Sequence, residues 1–118
     1  MPEQSTISLR ISLKSNIRLG PGKADLLQGI LETGSIAAAG RRMGMSYRRA
    51  WYHIYTLNHY FCEPVVIART GGRSGGGADL TETGRVVLGS LRRMEAAMAL
   101  VVADEVARLE KLAAPKLD

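Results

Sequence analysis

From residue 82 to residue 112 the chain runs without a proline, and apolar side chains return every three or four positions: Val87, Leu91, Met94, Met98, Val102, Val106 and Leu109. That spacing marks one face of an α-helix, and a helix of this length extends about 45 Å at ~1.5 Å per residue. A chain of 118 residues builds one unit with a modest core. Such a core is too small to cover the rod from end to end. The near half can close the protomer, and the far half is expected to pack against a second copy of the chain. These seven residues form the expected dimerisation seam.

Residues 7–14, Ile-Ser-Leu-Arg-Ile-Ser-Leu-Lys, alternate apolar and polar without a break, which predicts a half-buried strand. Gly20-Pro21-Gly22 stops it and turns the chain. A helix is expected over residues 21–33 with Leu26, Leu27, Ile30 and Leu31 on one face, and Gly34 fits its C-terminal stop. Ser35 is placed to cap a second helix over residues 36–43, whose Ala37, Ala38 and Ala39 allow close packing. After Met43-Gly44-Met45, Ser46 caps a third helix from residue 47 to about 61. Two short helices joined by a three-residue turn with a glycine make a helix-turn-helix, here over residues 35–61.

At about 100° per residue, Tyr47, Ala50, Trp51, Ile54, Leu57 and Phe61 of the third helix share one arc, which is expected to enter the core with Trp51 in it. Asn58 falls inside that arc and is expected to bond backbone. Arg48, Tyr52, Tyr55 and His59 lie opposite, with Arg49 and Thr56 beside them. That outer face is poor in aliphatic residues and rich in donors to phosphates and base edges. Arg48 could grip guanine O6 and N7 or a phosphate, and Arg49, set to the side, suits a phosphate. The bland alternative is a solvated basic face.

Pro64 closes the helical region. Residues 65–69 read as a strand, 70–78 as a loop with five glycines in nine residues, and 79–81 as a return strand. The glycine run lacks the Gly-Lys-Ser/Thr ending and following helix of a P-loop. A flexible linker is the other reading. The favoured one is a wing over residues 65–81, with Arg73 at its tip for a phosphate or a narrow minor groove.

The net charge of +5 is unevenly spread. Residues 35–78 hold six arginines (Arg41, Arg42, Arg48, Arg49, Arg69 and Arg73) against the single acid Glu63, while the two flanks cancel. A localised arginine excess is what phosphate neutralisation requires. Cys62 stands alone, so no internal disulfide can form. Residues 1–6 lack a signal peptide, and the longest apolar run, 96–103, is far short of the ~20 residues that span a bilayer. A cytoplasmic location is expected. His59, Cys62 and Glu63 make a weak metal set, no serine, histidine and acid form a triad, and neither catalysis, metal nor cofactor is expected. Cys62 is expected to be buried or partly buried.

The motifs together resemble the N-terminal DNA-binding domain of ModE-type, molybdate-responsive transcriptional regulators, a LysR-like winged helix-turn-helix. The resemblance rests on Gly34-Ser35-Ile36 with Ala38-Ala39, on Met45-Ser46-Tyr47-Arg48 with Ala50-Trp51, and on Leu57-Asn58. It continues through Thr70-Gly71-Gly72-Arg73, Gly75-Gly76-Gly77-Ala78, Leu80-Thr81 and Gly84. It implies a dimer joined through the N-terminal strand region and the long helix, with Ser46, Tyr47, Arg48 and Arg49 at the DNA. Family members also carry a C-terminal pair of small β-barrels for molybdate or tungstate. The sequence ends at Asp118 without them, so no oxyanion of that type is expected on this chain alone. Gly40 departs from the alanine expected there and should loosen its helix by ~1 kcal/mol.

The expectation is a mainly α chain with a small β component: one winged helix-turn-helix domain over residues 1–118 with a long dimerisation helix. The expected partner is double-stranded DNA, contacted by Ser35, Ser46, Tyr47, Arg48, Arg49, Tyr52, Arg69 and Arg73. Two alternatives stay open: mixed dimers with longer regulators, and direct response to a ligand or metal through the His59 and Cys62 region or a dimer-interface pocket.

Overall fold

The computed structural model describes residues 4–70 and 77–115. The alternating segment at the start forms a hairpin instead of one long strand. Strand β1 (Ile11–Leu13) pairs antiparallel with β2 (Ile17–Leu19), Ile11 lying opposite Leu19. The turn between them, Lys14–Asn16, holds Ser15 and Asn16 in the left-handed region at φ 65° and 67°. The ladder begins at Ile11 and not at Ile7 because β2 has only three residues before Pro21 starts a helix. Residues 7–10 thus lie beyond the reach of β2, although Leu9 still packs on the core.

Helix α1 (Pro21–Thr33) opens on a proline, whose fixed φ suits the first turn. It stops at Gly34, where φ is 69° and the backbone N–H donates to the Ile30 carbonyl at 2.8 Å. Leu26, Leu27 and Ile30 are buried, whereas Leu31, at the edge of the expected arc, faces out. Helix α2 (Ile36–Arg42) ends one residue earlier than expected and is capped by Ser35, whose Oγ accepts from the Ala38 N–H at 3.0 Å.

The two helices touch at Gly29, where an added Cβ would stand 2.8 Å from the Ala39 Cβ. Gly40 has a packing role that propensity does not show. It is buried, and a Cβ there would meet the Ala50 Cβ at 3.0 Å. The glycine lets α2 lie close against α3 (Tyr47–Tyr60), so packing offsets what it costs the helix.

Helix α3 is capped by Ser46, whose Oγ accepts from the Arg49 N–H at 3.1 Å. Its Ala50, Ile54 and Leu57 fill the core. Asn58 joins the helix to the wing: its Oδ1 accepts from the N–H groups of Val65 (2.8 Å) and Val66 (3.0 Å), and its Nδ2 donates to the Val66 carbonyl. Both valines are buried, so no water can replace the amide. Asn58→Ala should therefore cost about 2–4 kcal/mol by urea denaturation, the price of orphaning buried donors. A loss under half a kilocalorie, on the order of a surface substitution, would show that the amide is dispensable.

Strands β3 (Val66–Arg69) and β4 (Gly77–Leu80) form the wing, with Val66 opposite Leu80 and Arg69 opposite Gly77. The first starts one residue later, and the second two residues earlier, than the sequence predicts. Helix α4 (Glu82–Leu112) has the expected span and is capped by Thr81, whose Oγ1 accepts from the Gly84 N–H at 3.0 Å. Arg92 ties it to α1 and to its own next turn, pairing with Asp25 at 3.0 Å and Glu95 at 2.9 Å.

The seam divides. Leu91 is buried in the protomer and the half-buried Val87 packs on the same core, so the near end of the seam serves the protomer itself. Farther along the seam Met94 and Leu109 are exposed and Met98, Val102 and Val106 are half-buried. Leu100, Val101 and Leu112, outside it, are each at least 76 % exposed, so the far half carries apolar surface that the protomer does not cover. The start of the described chain lies beside it, with the Ser5 hydroxyl donating to the Glu110 carboxylate. Among the described residues no helix is long and apolar enough to cross a membrane.

Candidate nucleic-acid interface

The carbonyl of Gly34 at the end of α1 anchors the wing. It accepts from the Ala78 N–H at 2.9 Å and from the Arg69 guanidinium at 3.1 Å. A Cβ on Gly77 would strike that same carbonyl at 2.7 Å, so glycine is what allows β4 to lie so close. The start of α2, the start of α3 and the wing are thereby held around one groove of about 400 Å³, lined by Ser35, Ile36, Tyr47, Trp51, Ala68 and Arg69 among others.

The expected DNA-contacting residues fall into three settings. Ser35 and Ser46 are committed as caps of α2 and α3, where the uncapped N–H groups favour an anion. Tyr47, Arg48, Arg49 and Tyr52 are exposed along the first two turns of α3. Arg69 is already engaged: besides Gly34, it pairs with Asp79 across the wing at 3.0 Å. That geometry fixes its position and lowers its net charge. Arg73 lies outside the described residues.

Two expectations about side chains near the groove are corrected. Trp51 is not in the core; it is 37 % exposed, its indole N–H donates to the Tyr47 hydroxyl, and the two rings meet edge to face with centroids 6.4 Å apart. Tyr47 and Trp51 occupy the margin of the apolar arc, and the margin opens onto the groove. Cys62 is exposed, in the bend just after α3. His59 turns its Nδ1 to the Tyr55 carbonyl at 2.7 Å, and among the described residues no three metal-ligating side chains converge.

The outer face of α3 is as expected. Arg48, Tyr52, Tyr55 and His59 are exposed, and the Tyr55 and His59 rings stack with centroids 4.1 Å apart. A helix merely facing water has no need of four such side chains in one row. Arg48 appears in no ion pair among the described residues.

No family model matches the chain. Individual relatives do. The molybdenum-pterin-binding protein MopB of Rhodobacter capsulatus is 40 % identical over 86 residues, covering 73 % of this chain and 32 % of MopB. The molybdenum transport protein ModE of Azotobacter vinelandii is 38 % identical over 88 residues, covering 73 % of this chain and 33 % of ModE. The chain is a homologue of ModE and MopB. Another such homologue, the DNA-binding transcriptional dual regulator ModE of Escherichia coli K12, is 35 % identical over 82 residues, 70 % of this chain and 31 % of that protein. The chain thus spans about a third of the length of these relatives.

Among solved structures, this ModE homologue is similar to the full-length LysR-type regulator LysG of Corynebacterium glutamicum. The TM-score is 0.59 at 24 % identity, covering 79 % of this chain and 30 % of LysG. The likeness establishes the fold as a LysR-like winged helix-turn-helix.

Proposed function

We propose that this chain is a sequence-specific DNA-binding regulator of transcription that acts as a homodimer and has no catalytic role. The observation that carries the reading is the outer row of α3. Arg48, Tyr52 and Tyr55 stand exposed on a capped helix, flanked by a wing. In this arrangement α3 enters the major groove with Arg48 reading base edges, while Ser35, Ser46, Arg49 and the wing, Arg73 included, rest on phosphates. The uncovered apolar side chains on the far half of α4 support a second copy as the dimer partner. Such a dimer presents two copies of α3 to half-sites about 34 Å apart, one turn of the duplex. The names of the relatives support target genes concerned with molybdenum. The site of action is then the bacterial cytoplasm.

The test is selection of bound sequences from a random duplex pool, followed by footprinting and sedimentation of the complex. We expect an inverted repeat with half-sites about one turn apart and a particle of two chains per duplex. No protected bases at low ionic strength would sink the reading, and one chain per single half-site would remove the dimer.

A further inference from the structure

Helix α3 has two flanks between its buried and outer faces. Tyr47 and Trp51 lie on one; Arg49, His53 and Tyr60 lie on the other, about 180° away at ~100° per residue. This second flank closes a cavity of about 480 Å³ with Arg10, Arg18 of β2, and Gly20 to Lys23 at the start of α1. Its charged lining has one sign: Arg10, Arg18, Lys23 and Arg49, with no acid.

Among the described residues none of those four is in an ion pair, whereas Arg42, Arg69, Arg92 and Arg108 each have a carboxylate. The Arg10 guanidinium is packed against Gly20, where an added Cβ would stand 3.3 Å from Nη1. Lys23 Nζ lies 3.0 Å from His53 Nδ1. An ammonium can only donate, so Nδ1 accepts, and the neutral ring carries its proton on Nε2 as a donor with no partner among the described residues. Gathering four like charges is unfavourable in itself, and a multiply charged anion relieves it.

We propose that this pocket is a phosphate seat, in which Arg10, Arg18, Lys23 and Arg49 bind the oxygens of a phosphate group and His53 adds a fifth donor. Two sources share that chemistry. One is a phosphodiester of the DNA strand beside α3: the outer row of α3 lies midway between its flanks, and a helix in a groove about 12 Å wide meets a backbone on each side. The other is a free phosphorylated small molecule. Only the first source rests on the DNA reading above. The His53 ring reports on either. Burial holds its pKa below the usual histidine value, and the charges of Lys23 and Arg49 press it lower. Burial lowers Lys23 as well. A bound anion offsets the cationic field from Arg10, Arg18, Lys23 and Arg49, so the imidazole of His53 must take up protons more readily in the complex.

The test follows the ring resonances of His53 in the full chain by nuclear magnetic resonance at constant ionic strength. Inorganic phosphate or pyrophosphate is titrated in one arm and the selected duplex in the other, with His59 as the internal reference in the first. The double variant R18Q/K23Q is carried through both. We expect the His53 titration midpoint to rise with at least one probe, and the double variant to lose about tenfold or more in affinity for it.

If DNA supplies the phosphate, only the duplex moves His53, and the salt slope of binding falls by about one for each cation removed per protomer. If the source is free, millimolar phosphate or pyrophosphate moves His53 and the slope for DNA is unchanged. A chain that takes phosphate and ignores every duplex would refute the DNA reading alone. A His53 ring indifferent to both probes, with the double variant binding as the parent does, would overturn the seat.

Discussion

Replacing Arg48 with alanine is expected to cut affinity for the selected duplex by about ten- to a hundredfold per half-site, with no change in the midpoint of thermal unfolding. The separation of the two effects comes from where Arg48 sits. It is exposed on the second residue of α3, one position past the residue that opens the helix. The Ser46 cap, which sets the start of that helix, holds the Arg49 N–H and does not involve the Arg48 side chain. Alanine is also the better helix former, so the helix itself loses nothing.

On the DNA the position matters because bidentate recognition of guanine is worth about 1–3 kcal/mol, and a phosphate contact mainly shifts affinity for all sequences together. A base reader and a phosphate binder therefore separate when affinity for the selected and a scrambled duplex is measured at one salt concentration. For Arg48→Ala the ratio between the two should collapse. An equal loss on both duplexes would move Arg48 from base to backbone, and an unchanged affinity would show that another face of α3 meets the groove.

Sequence pattern was most legible where a residue type has one structural use. Ser35, Ser46 and Gly34 mark helix ends by their own chemistry, and all three stand where their types predict. Asn58, a polar residue in an apolar arc, required a backbone partner and found three backbone groups of the wing. Pattern is silent where the outcome depends on distant parts of the chain. The alternation of residues 7–14 says nothing about how long its partner strand will be, so it does not reveal the hairpin or its turn at Ser15 and Asn16.

Trp51 illustrates the limit of angular bookkeeping. It lies within the apolar arc of α3, but the arc is wider than the surface available to cover it, because α2 and the wing leave a groove there. Propensity is a property of one helix and does not show the packing role of Gly40, which is set by Ala50 on another. The basic pocket was legible only as scattered cations. Arg10, Arg18, Lys23, Arg49 and His53 are spread over some forty residues, and no local spacing rule connects them.

The second large effect lies away from the DNA and separates two glycines of the same helix. Gly84 and Gly89 both sit in α4, and helix propensity alone would make either change to alanine stabilising by about 1 kcal/mol. At Gly84 the added Cβ would stand 2.1 Å from the Val65 carbonyl oxygen and 3.0 Å from its carbon. That carbonyl cannot step aside cheaply. It accepts from the Thr81 N–H at 3.0 Å, the N–H of the same Val65 is held by Asn58, and the valine side chain is buried. The first turn of α4 must instead lift from the wing, loosening the packing of Leu88 and Leu91 behind it.

Overpacking of this kind costs about 1–3 kcal/mol, and an unyielding backbone contact belongs at the upper end. Gly84→Ala should therefore lower the unfolding midpoint by about 10 °C or more in a chain of this size. At Gly89 the Cβ would meet only the movable end of the Arg93 side chain at 3.2 Å, and Gly89→Ala should hold or raise the midpoint. Thermal unfolding of the pair by circular dichroism decides the matter. Equal midpoints for the two variants would mean that α4 does not bear on Val65 as described, and that the seating of the long helix against the wing is looser than its geometry requires.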